Sequence, residues 1–277
     1  MLKMSRLHKV LLYIAIIAGS FLMATPFLYM LSTALTKFAF TLPYPPRLIP
    51  DHPTFENFVR AWTSNNFARY TFNSFIIAVT TVVGVLFFSS MTAYGFARFH
   101  FRGKEFLFRF LLFTMMVPGI VAMIPTFLVM RDFHLLDNRF GLVILYTAGG
   151  VVGNTFFLRQ FFESLPRELE EAVMIDGGNR WHSYWHVILP LSQPALATVG
   201  IMTFMGAWDE YYWALVLIKD EAKRTLPIAI RLFQGMHSTN YGLIFAASLI
   251  ALVPSLLFFI FGQKYFIQGL SQGGVKG

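Results

Sequence analysis

Six long apolar runs are the feature that most restricts what this chain can fold into. They lie at approximately 10–35, 72–97, 106–130, 140–162, 193–218 and 242–266. Each run is long enough to match the stretch of about 20 helical residues that crosses a bilayer. Charged residues make up only 13% of the chain, whereas a soluble protein carries about 25%. The sequence therefore predicts an all-α, polytopic membrane protein with six transmembrane helices, in which residues 1–9 precede a single transmembrane domain over residues 10–277.

The first apolar run fits two interpretations, a cleaved signal peptide or a retained helix. Lys3, Arg6 and Lys9 precede it, and basic residues are expected at that position in either case. The apolar part of a signal peptide is about 7–15 residues long, and this run is longer than that. We therefore expect a retained first helix.

The distribution of charge indicates the orientation and the kind of partner. Lys and Arg exceed Asp and Glu by 22 to 14, but the charges fall in short clusters between the apolar runs, which favours a membrane surface over nucleic acid. Six spans place both termini on the same side. The basic cluster at 98–109, compared with the sparse segment 131–139, favours cytoplasmic termini. The chain has no Cys, which excludes disulfides, thiolate metal sites and Cys nucleophiles.

The segment 163–192, on the predicted cytoplasmic side, is too polar to cross a membrane. Leu169, Ala172 and Val173 form one apolar stripe at helical spacing, and Gly177 can end that helix in a left-handed turn. The segment either lies on the lipid surface or binds a protein. Helices on lipid surfaces favour Lys and Arg, whereas acidic residues predominate here. We therefore expect a protein partner.

A sequence signature lies within this segment. Glu171-Ala172-Val173 is followed by Gly177 and then by Ile188-Leu189-Pro190. The pattern resembles the EAA signature of ABC importer permeases, with Val173 in place of the second Ala. Shorter matches resemble the carbohydrate-uptake subfamily, in particular the smaller permease subunits of maltose-type transporters. They are Asn73-Ser74, Arg98 with 101–104, 157–162, 225–227 and 269–277.

This resemblance implies the permease subunit of an ATP-driven, binding-protein-dependent importer that moves a carbohydrate, an oligosaccharide or a related polyol, into the cytoplasm. The implied location is the plasma (inner) membrane of a prokaryote, with both termini cytoplasmic. The implied partners are a second permease subunit, two copies of an ABC ATPase, an extracytoplasmic solute-binding protein and membrane lipid, with no nucleic acid. The chain has no G-x-x-x-x-G-K-[ST] phosphate loop. It is therefore expected to be non-catalytic and to have no cofactor, with ATP and Mg bound by the partner ATPase.

The resemblance also implies contacts for the residues at matching positions. The signature becomes a cytoplasmic coupling helix in a cleft of the ATPase, where Glu171 faces a basic group and Gly177 allows the turn. The C-terminal tail 267–277 is expected to reach toward the ATPase pair. The expected coupling residues are Glu171, Ala172, Val173, Asp176, Gly177, Ile188 and Pro190, and those of the tail are Val275, Lys276 and Gly277.

Four consecutive residues of the fifth run are candidates for the translocation pathway. They are Trp208, Asp209, Glu210 and Tyr211. An ionisable group in hydrocarbon is costly and usually faces a cavity or a partner, and the aromatic residues are of the kind that stacks on sugar faces. The alternative is a structural pairing with the partner permease.

The outer segment 219–241 corresponds to the region that, in the maltose-type family, reaches into the binding protein. The candidates for that contact are Arg224, Gln234, His237 and Asn240. The alternative is a solvated loop with no partner.

Other functions were weighed against the importer. His182 and His186 have a spacing that can bind zinc, but no third ligand is evident and no metal site is predicted. A secondary carrier would need ion-coupling acids in several spans, whereas only Asp209 and Glu210 lie well inside one. An intramembrane hydrolase would need a catalytic constellation within the spans, and none is evident. A permease of the same type for another solute class remains open, because the signature does not specify the solute.

Overall fold

Helices form almost all of the regular structure in the computed structural model, which describes residues 5–37, 39–42, 45–234 and 239–274, with side chains described only as far as Lys264. The α-helices are α1 Arg6–Ala34, α2 Glu56–Thr63, α3 Phe67–Arg98, α4 Lys104–Thr114, α5 Met123–Asp132, α6 Arg139–Ser164, α7 Glu168–Ile175, α8 Arg180–Ser183, α9 Leu189–Leu191, α10 Gln193–Trp208, α11 Tyr212–Leu217, α12 Leu226–Leu232 and α13 Tyr241–Gly274. The described residues contain isolated β-bridges but no sheet. The prediction of an all-α fold is confirmed.

Four helices in the described part of the chain are long and apolar enough to cross a membrane. They are α1, α3, α6 and α13 as far as Lys264. A fifth span results if Arg180–Leu191 and Gln193–Trp208, which meet at a bend of 75°, are counted as one. Length and composition thus support four or five of the six predicted spans.

The third predicted span is not a continuous helix. The run 106–130 is divided between α4 and α5, and the intervening residues form turns in which backbone N–H groups bond to carbonyls three residues earlier. Pro118 lies in this break; it has no N–H to donate, and its ring clashes with the preceding turn of a helix. The fifth run, 193–218, is also broken, because α10 ends at Trp208 and α11 begins at Tyr212.

The chain divides into two compact units. One comprises the chain up to Ala68 with Ala229–Val253, and the other comprises Arg69–Ile228 with the chain from Pro254. In the first unit, the buried side-chain amide of Asn57 donates hydrogen bonds to the carbonyls of Ala34 and Thr36, each at 2.9 Å. These carbonyls at the end of α1 would otherwise lack partners, so Asn57 fixes α2 against α1.

The second unit contains the residues of the sequence signature and has two buried apolar clusters. One cluster includes Leu158, Phe162, Ile188 and Val199 and joins α3, α6 and α10. The other includes Leu142, Leu217 and Ile228 and joins α6, α11 and α12. The two clusters give the broken fifth run a rigid base, because closely packed interiors resist deformation.

An ion-pair network joins α4 to α6. Arg159 contacts Glu163 at 2.8 Å and Glu105 at 3.1 Å, and its guanidinium lies 3.9 Å from the ring centre of Phe108. The arginine side chain is mostly buried, so these contacts hold α4 beside α6.

Candidate functional site

The short helix α7 carries the first part of the signature. Glu168, Glu170 and Glu171 lie in its first turn, where negative charge interacts favourably with the helix dipole. The helix ends at a left-handed glycine, Gly177, which has φ +80°. The N–H of the following glycine, Gly178, donates to the carbonyl of Val173 at 2.8 Å. This arrangement is a Schellman motif, which turns the chain sharply after Ile175.

The end of α7 presents an apolar surface to solvent. Ile175 is 86% exposed, and Leu169 and Met174 are also exposed. Glu171 and Asp176, which belong to the signature, flank this apolar surface and are exposed as well. An exposed apolar patch with a polar rim is typical of a protein-binding surface.

A buried ion pair attaches α7 to the end of α3. Nε of Arg98 lies 2.6 Å from Oε1 of Glu170, with side chains only 4% and 12% exposed. A second guanidinium nitrogen of Arg98 donates to the carbonyl of Leu165 at 2.9 Å. The hydroxyl of Tyr94 lies 3.0 Å from both Oε2 of Glu170 and the carbonyl of Arg180. The inward carboxylate is thus Glu170, while its neighbour Glu171, the acid of the signature, faces solvent.

The substitution in the signature has a packing partner. Val173 is half-buried, and its Cγ1 lies 2.6 Å from the position that a Cβ on Gly178 would take. A side chain at Gly178 would therefore collide with Val173. The valine fills the space inside the turn, and the second glycine leaves room for it.

The second part of the signature lies in the core. A single π-helical turn spans Tyr184–Ile188, a feature often found at functional sites. The Tyr184 hydroxyl lies 2.8 Å from Oγ of Ser90. Ile188 is completely buried, so it packs inside the chain, whereas Pro190 is exposed at the start of the bend into α10.

The structure separates the four candidates for the translocation pathway. Trp208 is 1% exposed and stacks on Phe204, with ring centres 5.7 Å apart. Tyr211 packs at the edge of an apolar cluster. Asp209 is exposed and Glu210 is half-buried. Of the four, Glu210 lines a cavity between α3, α6 and α10.

Glu210 also orders the break in the fifth run. Its carboxylate accepts hydrogen bonds from the backbone N–H groups of Trp213 at 2.9 Å and Ala214 at 3.1 Å. It accepts a third from the hydroxyl of Tyr146 at 2.5 Å. The carboxylate therefore supplies partners for the first N–H groups of α11, which would otherwise have none.

The candidates for binding-protein contact have different surroundings. Arg224 pairs with Glu221 at 2.9 Å. Asn240 is buried and accepts a hydrogen bond from the N–H of Leu243, as a helix cap does. Gln234 is exposed. His237 and the tail residues Val275, Lys276 and Gly277 lie outside the described residues.

Asn73, whose role the sequence did not predict, holds the start of the segment after α11. Its side-chain amide donates to the carbonyls of Ala222 and Arg224, each at 2.9 Å. Its side-chain oxygen accepts a hydrogen bond from Arg139 at 2.6 Å, and the hydroxyl of Ser74 accepts one from the N–H of Leu226 at 2.8 Å. Asn73-Ser74 therefore has a structural role that its resemblance to the subfamily did not specify.

A second contact with the same segment comes from Asp137. Its carboxylate accepts hydrogen bonds from the N–H groups of Asp220 at 2.9 Å and Lys219 at 3.1 Å. The Lys223 ammonium lies 3.2 Å from its other oxygen. These hydrogen bonds, the one from Asp220 above all, lower the pKa of Asp137 below its ordinary value.

The histidines of α8 and the π-helical turn provide no metal site in the described structure. His182 and His186 stack with ring centres 5.5 Å apart. No group of three or more His, Asp or Glu residues suited to a metal was found among the described residues.

Comparison with known proteins identifies the family. Residues 85–272 match the family described as binding-protein-dependent transport system inner membrane component. The chain is 33% identical to the diacetylchitobiose uptake system permease protein NgcG of Streptomyces coelicolor over 93% of this chain and 86% of that protein. It is also 33% identical to the trehalose/maltose transport system permease protein MalG of Thermococcus litoralis over 98% and 99% of the two chains.

Solved structures share the fold. A chain in the crystal structure of a bacterial ABC transporter that imports the acidic polysaccharide alginate matches with a TM-score of 0.83 and 28% identity, over 95% of this chain and 99% of that one. A chain of the alginate transporter in complex with a pentasaccharide-bound periplasmic protein matches with a TM-score of 0.69 and 16% identity, over 92% of each chain, and this match supports the fold alone. The chain therefore belongs to the family of inner membrane components of binding-protein-dependent transport systems.

Proposed function

We propose that this chain is the permease subunit of an ATP-driven, binding-protein-dependent importer that carries a carbohydrate into the cytoplasm. The observation that carries this proposal is the exposed apolar end of α7, held on a buried ion pair, in a chain that belongs to an importer family. Relatives named for arabinooligosaccharides, sulfoquinovosyl glycerol, and trehalose and maltose support a sugar as the solute. A secondary carrier, or a permease for another class of solute, has no comparable support.

The coupling role of α7 rests on its rigidity and its exposed surface. A helix of eight residues is not stable alone in water, so α7 depends on its anchor through Glu170 and on the turn at Gly177. These contacts fix the direction in which Ile175 projects. The neighbouring acids Glu171 and Asp176 suit an apolar cleft with a basic rim, such as the proposed docking cleft of an ATPase subunit.

The remaining assignments complete the importer. The proposed topology has six spans and cytoplasmic termini, with α4 and α5 together as the third span and α10 and α11 as the fifth. Pro190 is proposed to contact the ATPase near α7, and Val275, Lys276 and Gly277 are proposed to contact it from the tail. The proposed contacts with the binding protein are Arg224, Gln234, His237 and Asn240. This chain is proposed to be non-catalytic, beside a second permease and two ATPase copies that bind ATP and Mg.

Replacement of Gly177 with Asp tests the coupling role. Asp tolerates left-handed backbone better than most residues, and no atom lies within 4 Å of the new Cβ, so the variant should fold. The added carboxylate would stand on the docking surface. We expect the tagged variant to reach the membrane at normal levels. Its sugar-stimulated ATPase activity in the purified importer should fall at least about tenfold, which corresponds to an increase of about 1.4 kcal/mol in the activation free energy.

Gly103 provides a matched control, because it also has positive φ, at +84°, and open space around its Cβ. Gly103→Asp should retain stimulated ATPase activity, since it precedes α4 and lies outside α7. Unchanged activity in Gly177→Asp would contradict the coupling role. Failure of the tagged wild-type chain to copurify with an ATPase and a second permease would contradict the importer.

A further inference from the structure

A cavity of about 340 Å³ lies between α3, α6 and α10, and several polar side chains line its largely apolar wall. Its walls include Thr81 and Asn154, which lie well inside α3 and α6, and Thr203, which lies in the second half of α10. Glu210 and Gly206 also line the cavity. The volume is at the lower end of the range of small-molecule sites, about 300–1,000 Å³, so the cavity can hold a small ligand or one part of a longer one.

Polar groups in this wall lack partners. Thr81 is 1% exposed, and neither its hydroxyl nor that of Thr203 has a hydrogen-bond partner among the described residues. Thr92 and Thr198 in the same helices donate to a carbonyl of their own helix, whereas Thr147 and Thr155, which do not line the cavity, also lack partners in the described part of the chain. The amide of Asn154 donates only to the carbonyl of Gly150, at 2.8 Å. Burial of an unpaired hydroxyl is costly, so these groups are set to bond a ligand or water.

The charge of the residues that line the cavity determines which class of ligand it can bind. Glu210 contributes a carboxylate whose orientation is fixed by three hydrogen bonds, and none of the described lining residues carries a positive charge. An acidic sugar would be repelled here, whereas hydroxyl groups can both donate to Glu210 and Asn154 and exchange hydrogen bonds with the two threonines.

We infer that this subunit itself binds the solute in this cavity, and that the solute is a neutral carbohydrate recognised through its hydroxyl groups. This inference rests on the proposed import function and adds to it a solute site and a charge class. The site shares only Glu210 with the four residues that the sequence indicated, because Trp208 is buried in an aromatic stack.

Labelling of an introduced cysteine tests occupancy of the cavity. The chain has no native cysteine, so Gly206→Cys, in the cavity wall, provides one thiol that can be followed by the mass of this chain. The assembled importer with its binding protein is first screened for ATPase stimulation by neutral maltose, trehalose and arabinotriose and by acidic alginate trisaccharide. A cationic methanethiosulfonate reagent is then applied with and without the stimulating sugar.

We expect rapid modification of Gly206→Cys, whose Cβ would meet no atom within 4 Å, and at least about tenfold slower modification in the presence of a neutral sugar. Thr155→Cys is the control, because Thr155 is buried with an unpartnered hydroxyl but does not line the cavity; it should stay unmodified. Modification that sugar does not slow would overturn the inference, because the cavity would then hold only water. Stimulation of ATPase activity by the acidic trisaccharide alone would refute the inference that the solute is neutral.

Filling the cavity provides an independent test. A Cβ on Gly206 would meet no atom within 4 Å, so Gly206→Leu adds a side chain to open space without a direct clash. We expect sugar uptake per ATP hydrolysed to fall at least about tenfold in proteoliposomes. Gly149→Leu, at an equally open glycine of α6 outside the cavity wall, should keep the wild-type ratio.

The outcomes separate the two proposals. If no sugar stimulates ATPase activity in the assembled complex, the proposed carbohydrate function fails, and the solute site fails with it. If sugar uptake is normal in wild type and in Gly206→Leu alike, the importer stands and only the assignment of the cavity is refuted.

Discussion

The ion pair between Arg98 and Glu170 gives the sharpest prediction about α7. Glu170→Gln keeps the shape of the side chain but removes the charge, and its single amide oxygen replaces only one of the two carboxylate oxygens that face Arg98 and Tyr94. Removing one partner of a buried pair costs about 3–5 kcal/mol. Arg98 retains its hydrogen bond to the Leu165 carbonyl and Glu170 is 12% exposed, which reduces the cost. We expect a loss of about 2 kcal/mol in the free energy of unfolding.

Denaturant titration of the purified chain in mild detergent measures this loss, and sugar-stimulated ATPase activity of the assembled importer measures coupling. Glu171→Gln is the control, since that neighbouring carboxylate is exposed and should change stability by less than about 0.5 kcal/mol. Replacement of both partners, Arg98→Met with Glu170→Met, should be less destabilising than either single change, because no charge is left buried.

Two results would refute the reasoning. Equal stability of Glu170→Gln and Glu171→Gln would mean that the buried carboxylate contributes no more to the free energy of unfolding than the exposed one. Strict additivity of the Arg98→Met and Glu170→Met changes would mean that the two side chains do not interact, because coupled residues deviate from additivity by about 0.5–3 kcal/mol.

Three further predictions concern the turn after α7 and the segment after α11. Gly178→Ala should destabilise α7, as measured by hydrogen exchange, and Val173→Ala should partly restore it, because the new methyl group collides with the valine. Asn73→Ala should lower the free energy of unfolding by about 2–3 kcal/mol because its hydrogen bonds are lost, and it should speed trypsin cleavage after Lys223. Because the pKa of Asp137 is lowered in the folded chain, its stabilising contribution is present above its unfolded pKa of about 3.9 and is lost as pH falls through the folded value. Protection of residues 217–223 from hydrogen exchange, corrected for the intrinsic pH dependence of the exchange rate, should therefore fall in acid, and Asp137→Asn should remove that fall.

Much of the sequence prediction rested on the periodicity of apolar residues and on the tolerance of glycine for a left-handed backbone conformation. The helix around Leu169 and its end at Gly177 were predictable because both depend on neighbours within a few residues. The choice between Glu170 and Glu171 as the inward acid was not predictable, because it depends on Arg98 in another helix. Ile188 shows the same limit: the signature marks its position, but burial depends on the packing of α3, α6 and α10.

The breaks in the predicted spans illustrate a second limit. Pro118 disfavours a regular helix at its position in the third run, but hydropathy alone could not show that the residues around it leave the helix. In the fifth run, Glu210 was recognisable as a costly acid in an apolar segment. Its three hydrogen-bond donors include a tyrosine from α6, and that contact depends on tertiary structure.

The contacts of Asn73 have a consequence for the order of events during synthesis. The two carbonyls that its amide binds belong to residues 149 and 151 positions later in the chain. A ribosome adding about 5–20 residues per second needs roughly 8–30 s to reach them. Through that interval the amide depends on water, and the start of α3 has no fixed neighbour from the later half. Closure of this contact is thus a late step in biogenesis, and an agent that delays it would prolong the life of an open, aggregation-prone intermediate.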